Sequence, residues 1–121
     1  MVLVTVNKPK QILFLSFIGR VRADELSTAY QDMAGFLAEL SPSFRLLTDL
    51  TDLQSLDADS AKEIAKAMEL CDEKGVGLVV RVIPDPIKDI GLNILAQFHY
   101  SHRPRTVTCA NMVEAAKALE I

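Results

Sequence analysis

Cysteine is scarce in this sequence: Cys71 and Cys109 are the only two. A single pair is too few for a disulfide scaffold and its spacing matches no zinc motif, so a reducing, cytoplasmic setting with two buried thiols is expected. Long apolar runs are also missing. The longest, ILFLSFIG from Ile12, is strand-length beside the roughly 20 residues that cross a bilayer, so no membrane span is expected. The opening MVLVTVNKPKQ lacks the basic leader and small-residue cleavage site of a signal peptide and reads as a first strand. Nor is there an excess of charge, since 13 Lys plus Arg face 16 Asp plus Glu and leave a net charge of −3. That balance argues against a general grip on nucleic-acid backbone or anionic lipid.

Catalytic signatures are absent as well. No Gly-x-Ser-x-Gly elbow, Cys-x-x-Cys pair or dinucleotide glycine fingerprint occurs. Cys71 falls on an apolar helical stripe and Cys109 at a strand end, neither beside a histidine in sequence. The expectation is a protein that is no enzyme and carries no cofactor.

What is present is core material. With 121 residues, 50% of them hydrophobic, the chain fills one core and not two, so residues 1–121 read as a single domain without linker, repeat or low-complexity segment. The apolar share is generous for that size. An apolar interface or pocket would account for it, and a homodimer is one such arrangement.

The elements follow from periodicity and punctuation. Val2 to Val6 and Gln11 to Ile18 are β-rich runs around Asn7-Lys8-Pro9-Lys10, which predicts a hairpin. From Asp24, apolar Leu26, Tyr30, Met33, Leu37 and Leu40 recur at helical spacing up to Ser41-Pro42. Phe44 to Leu50 is a strand, followed by a polar stretch to Asp57, placed to cap a helix with Ala61, Ile64, Ala65, Met68 and Cys71 inward. In that helix Lys62, Glu63, Lys66, Glu69 and Asp72 fall largely on the opposite side, and Lys74-Gly75 closes it. Val76 to Ile83 reads as a strand covered on both faces, and Pro84-Asp85-Pro86 opens a helix with Ile87, Ile90, Ile94, Leu95 and Phe98 buried. Thr106 to Cys109 is a last strand. Asn111 with Glu114 forms a capping-box-like start for a final helix, with Val113, Ala116 and Leu119 inward. The string ββαβαβαβα predicts an α/β fold: a mainly parallel, five-stranded mixed sheet, hairpin at one side, with about four helices.

The stretch LLTDLTDLQSLDADSAKEI, Leu46 to Ile64, resembles the central strand-loop-helix of STAS domains, the family of sulfate-transporter and anti-sigma-factor-antagonist modules. There an apolar strand ends in aspartate, and an Asp-Ser-Ser-Gly turn opens the helix. PRTVTCANMVEAAKAL, Pro104 to Leu119, looks like that family's final strand and helix. The whole pattern is similar to the SpoIIAA-like stand-alone domains over roughly Gln11 to Glu120. The resemblance implies a partner-binding surface around Asp49, Asp57, Asp59 and Ser60, with Asp49 matching the strand-end aspartate and Asp57 the one opening the turn. Ala58 and Asp59 stand where the family has its two serines. The second of these is the kinase target in sigma-factor regulators, and Ser60 stands where glycine is usual. A phosphoserine at a helix start carries about −1.5 to −2 charge; Asp59 holds a fixed −1 and cannot cycle, so no switching is expected at that position. Ser60 or Ser55 remains as an alternative phosphate acceptor, against the commoner role of serine as a cap or solvent residue.

Two further clusters stand out. Asp49, Asp52, Asp57 and Asp59 gather where open α/β folds bind ligands, but they lack the spacing of a calcium loop, and turn formation, capping and solvation account for them without a metal. His99, His102, Arg103 and Arg105 form the one dense basic cluster, suited to a helix C-terminus and able to meet an anion or an acidic partner; zinc would need more ligands than the segment supplies. Two functions survive. One is a regulatory module that binds a protein partner through the start of the helix after Asp57. The alternative is a carrier in which the hairpin and the Ile87 to Phe98 helix enclose a lipid-like or other small apolar ligand, with the basic cluster at its polar end.

Overall fold

The computed structural model describes residues 1–121, apart from the side chains of residues 86–89. β1 (Val2–Asn7) and β2 (Ile12–Phe17) form the expected antiparallel hairpin, with Val4 opposite Leu15. β3 (Gly19–Val21) leads into α1 (Ala23–Leu37), and β4 (Arg45–Asp49) and β5 (Leu53–Leu56) precede α2 (Ser60–Glu73). β6 (Leu78–Val82), α3 (Pro86–His99), β7 (Arg105–Cys109) and α4 (Met112–Leu119) complete the chain. The main sheet has the order β1-β2-β4-β6-β7, and every pairing after the hairpin is parallel. The α/β architecture read from the sequence is therefore the one observed, with β4 an inner strand bonded on both sides.

Each face of the sheet buries its own core. Leu13, Leu15, Phe17, Leu46 and Val79 pack beneath Met33 and Leu37 of α1 and Ile64, Met68 and Cys71 of α2. Ile12, Leu47, Val80, Val82 and Cys109 pack against Ala115 and Leu119 of α4 on the other side. Successive strand residues alternate between these cores, as a sheet covered on both faces requires. Gly75, at φ 87°, ends α2 in the left-handed conformation that favours glycine and turns the chain toward β6.

Four expectations need correction. First, β3 and β5 pair in a separate two-stranded parallel sheet, where the sequence read a strand break and a polar connection. These strands hold three and four residues, and β5 is exposed after Leu53, so neither carries a periodic signal. Tertiary bonds define them instead: Gly19 N–H donates to Asp52 O, and Asp57 N–H to Val21 O. Second, α2 begins later than Asp57; Asp59 occupies its N-cap position without a side-chain cap bond, because its backbone is already helical. Third, Asp72 faces inward, 6% exposed. Fourth, the apolar residues of α3 and α4 are not all buried. Ile90, Ile94 and Phe98 are 61%, 51% and 77% exposed, while Leu92, Leu95, Ala96 and, just past the helix, Tyr100 face the core; Ile87 lies outside the described side chains. In α4, Val113 is largely exposed, and Ala115 with Leu119 forms the inner side. A hydrophobic stripe fixes a helix's apolar side, but only the neighbouring elements decide whether that side is covered.

Candidate functional site

The rim at the carboxyl end of β4 is built from the turn and loop that carry the chain to α2. Asp49 is half-buried, and its Oδ1 accepts the Thr51 backbone N–H at 3.0 Å and the Thr51 hydroxyl at 2.5 Å. That carboxylate shapes the turn. Asp57, partly exposed, pairs with Arg20 Nε at 3.6 Å, which ties the loop to β3. Asp59 is exposed, as is Ala58, with Leu56 partly exposed three residues before Asp59. Ser60 is 1% exposed, and its hydroxyl makes no hydrogen bond among the described residues.

Asp57, Asp59 and Ser60 thus meet at the start of α2, while Asp49 turns to Thr51. Among the described residues no three His, Cys, Asp or Glu side chains converge on a metal-binding position. What the rim can do chemically is offer a fixed negative charge at Asp59, three residues after a partly exposed leucine. The start of α2 carries the positive end of the helix dipole, which favours an acidic group there.

The basic segment after α3 is divided. His99 Nδ1 lies 2.7 Å from Glu69 Oε1, and His102 Nδ1 lies 3.0 Å from Asp72 Oδ2. Asp72 also accepts the Ser101 hydroxyl at 2.6 Å and the His102 backbone N–H at 3.1 Å. Burial pushes the Asp72 carboxyl up, but those hydrogen bonds and the His102 charge outweigh it and hold the group below the ordinary carboxylate value. Both histidines therefore clamp the loop onto α2. Arg103 and Arg105 remain exposed and form no ion pair with another described residue. Arg103 borders an open groove of about 600 Å³ together with Asn93, Gln97, Tyr100 and Thr106.

Two interior polar groups escaped the sequence reading. Arg81 is buried in β6, and its Nη1 donates to Asn93 Oδ1 of α3 at 2.6 Å. A lone arginine within the apolar run of Val76 to Ile83 is the signal that marks it, since such a charge needs an internal partner. The Asp72 network has no such signal, because its partners lie about thirty residues away in sequence. The thiols are buried as expected. Burial, with Asp72 adding to it, pushes Cys71 up to about 12 and leaves it a poor nucleophile.

Between the sheet and the helices lies a cavity of about 60 Å³, lined by residues that include Phe17, Met33, Leu46, Met68 and Tyr100. It has room for a few water molecules. Enclosing a lipid-like ligand takes on the order of 300 Å³ or more. Among the described residues no helix is long and apolar enough to cross a membrane.

No family model matches the chain, and no curated protein matches it in sequence. Solved structures do match. A DUF3478-family protein with a SpoIIAA-like fold from Shewanella loihica PV-4 has 15% identity and a TM-score of 0.73, over 98% of this chain and 92% of that one. The anti-sigma factor antagonist SpoIIAA in its unphosphorylated form has 11% identity and a TM-score of 0.68, over 99% and 98%. An anti-sigma factor antagonist from Mycobacterium paratuberculosis has 20% identity and a TM-score of 0.60, over 100% and 94%. The chain has the SpoIIAA-like fold, as its resemblance to such domains implied.

Proposed function

We propose that this protein is a non-enzymatic, cytoplasmic regulatory module that binds a protein partner through the start of α2. The observation that carries the reading is the pairing of solvent-facing Asp59 with partly exposed Leu56 on a loop braced by the β3–β5 sheet and the Arg20–Asp57 ion pair. A braced loop presents its contacts at little ordering cost, and a charge beside an apolar anchor supplies both steering and burial. Likeness in fold to two anti-sigma factor antagonists supports a partner of protein type. The carrier alternative draws less support, since the cavity between the sheet and the helices holds about 60 Å³.

On this reading Asp59 keeps the docking surface in one charge state. The test compares partner recovery by the native protein, by Asp59→Lys and Leu56→Asp, and by Lys117→Glu on the opposite face as control, with quantitative mass spectrometry of each capture. A partner retained by the control and lost by both rim variants supports the proposal. Identical recovery by all four proteins, each shown folded by circular dichroism, overturns it.

A further inference from the structure

The outer side of α3 is an apolar ridge that nothing among the described residues covers. Ile90, Ile94 and Phe98 sit four residues apart, each at least half exposed, and from Ile90 to Phe98 the helix carries no charged residue, in a chain that is 24% charged. Residues at that spacing stack along one row of a helix surface, a ridge about 12 Å long. Depletion of charge around an apolar centre is the composition of an interface core rather than of a solvated face.

The ridge is also asymmetric in a way that fits its own copy. Phe98, the bulkiest member, lies at one end. Gly91 lies beside the other end, exposed, with open space where a side chain would begin. A two-fold axis through Ile94 sets two α3 helices antiparallel, brings Ile94 against Ile94, and lays each Phe98 over residues 90 and 91 of the second copy. The large side chain meets the notch twice, which is the self-complementarity an isologous contact requires. Ridges of this class interdigitate at about −50°. Two copies of net charge −3 repel each other, and a charge-free contact keeps that repulsion away from the interface.

Size is consistent with a weak dimer. The three side chains expose roughly 300 Å² of apolar surface. With Asn93 and Gln97 at the rim, each copy reaches about 500 Å², the low end of specific interfaces. We infer that the Ile90–Ile94–Phe98 ridge is a homodimer interface in which Phe98 of each copy packs against Gly91 of the other.

Sedimentation equilibrium of the full chain from about 10 μM to 1 mM tests this, with an expected dissociation constant on the order of tens of micromolar. Phe98→Glu, at a position already exposed, should weaken association at least 30-fold, by roughly the size of an interface hot spot. Gly91→Gln leaves the ridge intact and fills only the notch; it should weaken association at least about 10-fold, since overpacking a contact destabilises it. A native protein that stays monomeric throughout overturns the inference and leaves the ridge to a different protein. A dimer that survives either substitution places the contact elsewhere or in another geometry, and overturns it equally.

Discussion

Replacing Asp72 by asparagine removes one charge from a site with three hydrogen-bond donors and almost no exposure. The Ser101 hydroxyl, the His102 backbone N–H and the His102 ring all direct themselves at this carboxylate, which ties the segment after α3 to α2. Asparagine keeps the shape but offers one acceptor oxygen, so at least one donor faces an NH₂ group. Hydrogen bonds to a charged acceptor contribute about 1.5–3 kcal/mol, and a net loss of about 2 kcal/mol is expected at neutral pH. That corresponds to roughly 1 M in the urea midpoint and about 8 °C in Tm for a domain of this size. The pH dependence has a definite sign. Because the folded carboxyl titrates below its ordinary value, its contribution is complete above the unfolded value of about 3.9 and is lost as pH falls through the folded one. The native protein and Asp72→Asn should therefore differ most near pH 7 and converge in acid, other carboxylates cancelling between them. Urea titrations by circular dichroism at pH 7, 5, 4 and 3 measure this. Equal midpoints at pH 7, or a gap that persists undiminished to pH 3, would refute the assignment of Asp72 as the clamp.

Gly77→Ala should cost about 1–3 kcal/mol in thermal denaturation, since a Cβ there meets backbone Ser43 Cα at 3.2 Å and O at 3.3 Å, atoms that move only with the chain. Asn111→Ala should cost about 1 kcal/mol in the same assay, because Asn111 Oδ1 accepts the Glu114 N–H at 2.9 Å as the cap of α4. Ser60→Ala should be neutral or stabilise by up to about 1 kcal/mol in urea unfolding, because it removes a buried hydroxyl that has no partner among the described residues. A clear loss of stability at that position would show that the hydroxyl is satisfied.

The order of elements was legible because each carries its own local code. Asn111 with Glu114, Gly75 after Lys74, and the apolar run around Val79 and Val80 mark a cap, a stop and a doubly covered strand without reference to the rest of the chain. Features that depend on distant partners were not legible. The β3–β5 sheet rests on pairings more than thirty residues apart, and Asp72 looks like a solvent residue until Ser101 and His102 arrive beside it. The candidate rim shows both cases. Its acidic residues were visible, but that Asp49 is engaged by Thr51 and Asp57 by Arg20, leaving Asp59 as the solvent-facing charge nearest the start of α2, is a matter of geometry.

That division of labour bears on regulation at the rim. A kinase needs the acceptor hydroxyl in solvent, and Ser60 is enclosed within the first turn of α2, its backbone N–H bonded to Asp57 O at 3.0 Å. Modifying it means opening that turn, and the resulting phosphate would have to be buried or keep the turn open, either of which costs far more than a surface modification. Ser55 is exposed on β5, outside the helix start, so a phosphate there would gain little from the α2 dipole, which fades within the first turn. Asp59 holds a fixed negative charge at the N-cap of α2, ahead of Lys62 and Glu63 in the first turn. On the proposed reading, control of binding at this surface is expected to act through the partner, or through the amount of this protein, and not through a charge cycle at Asp59.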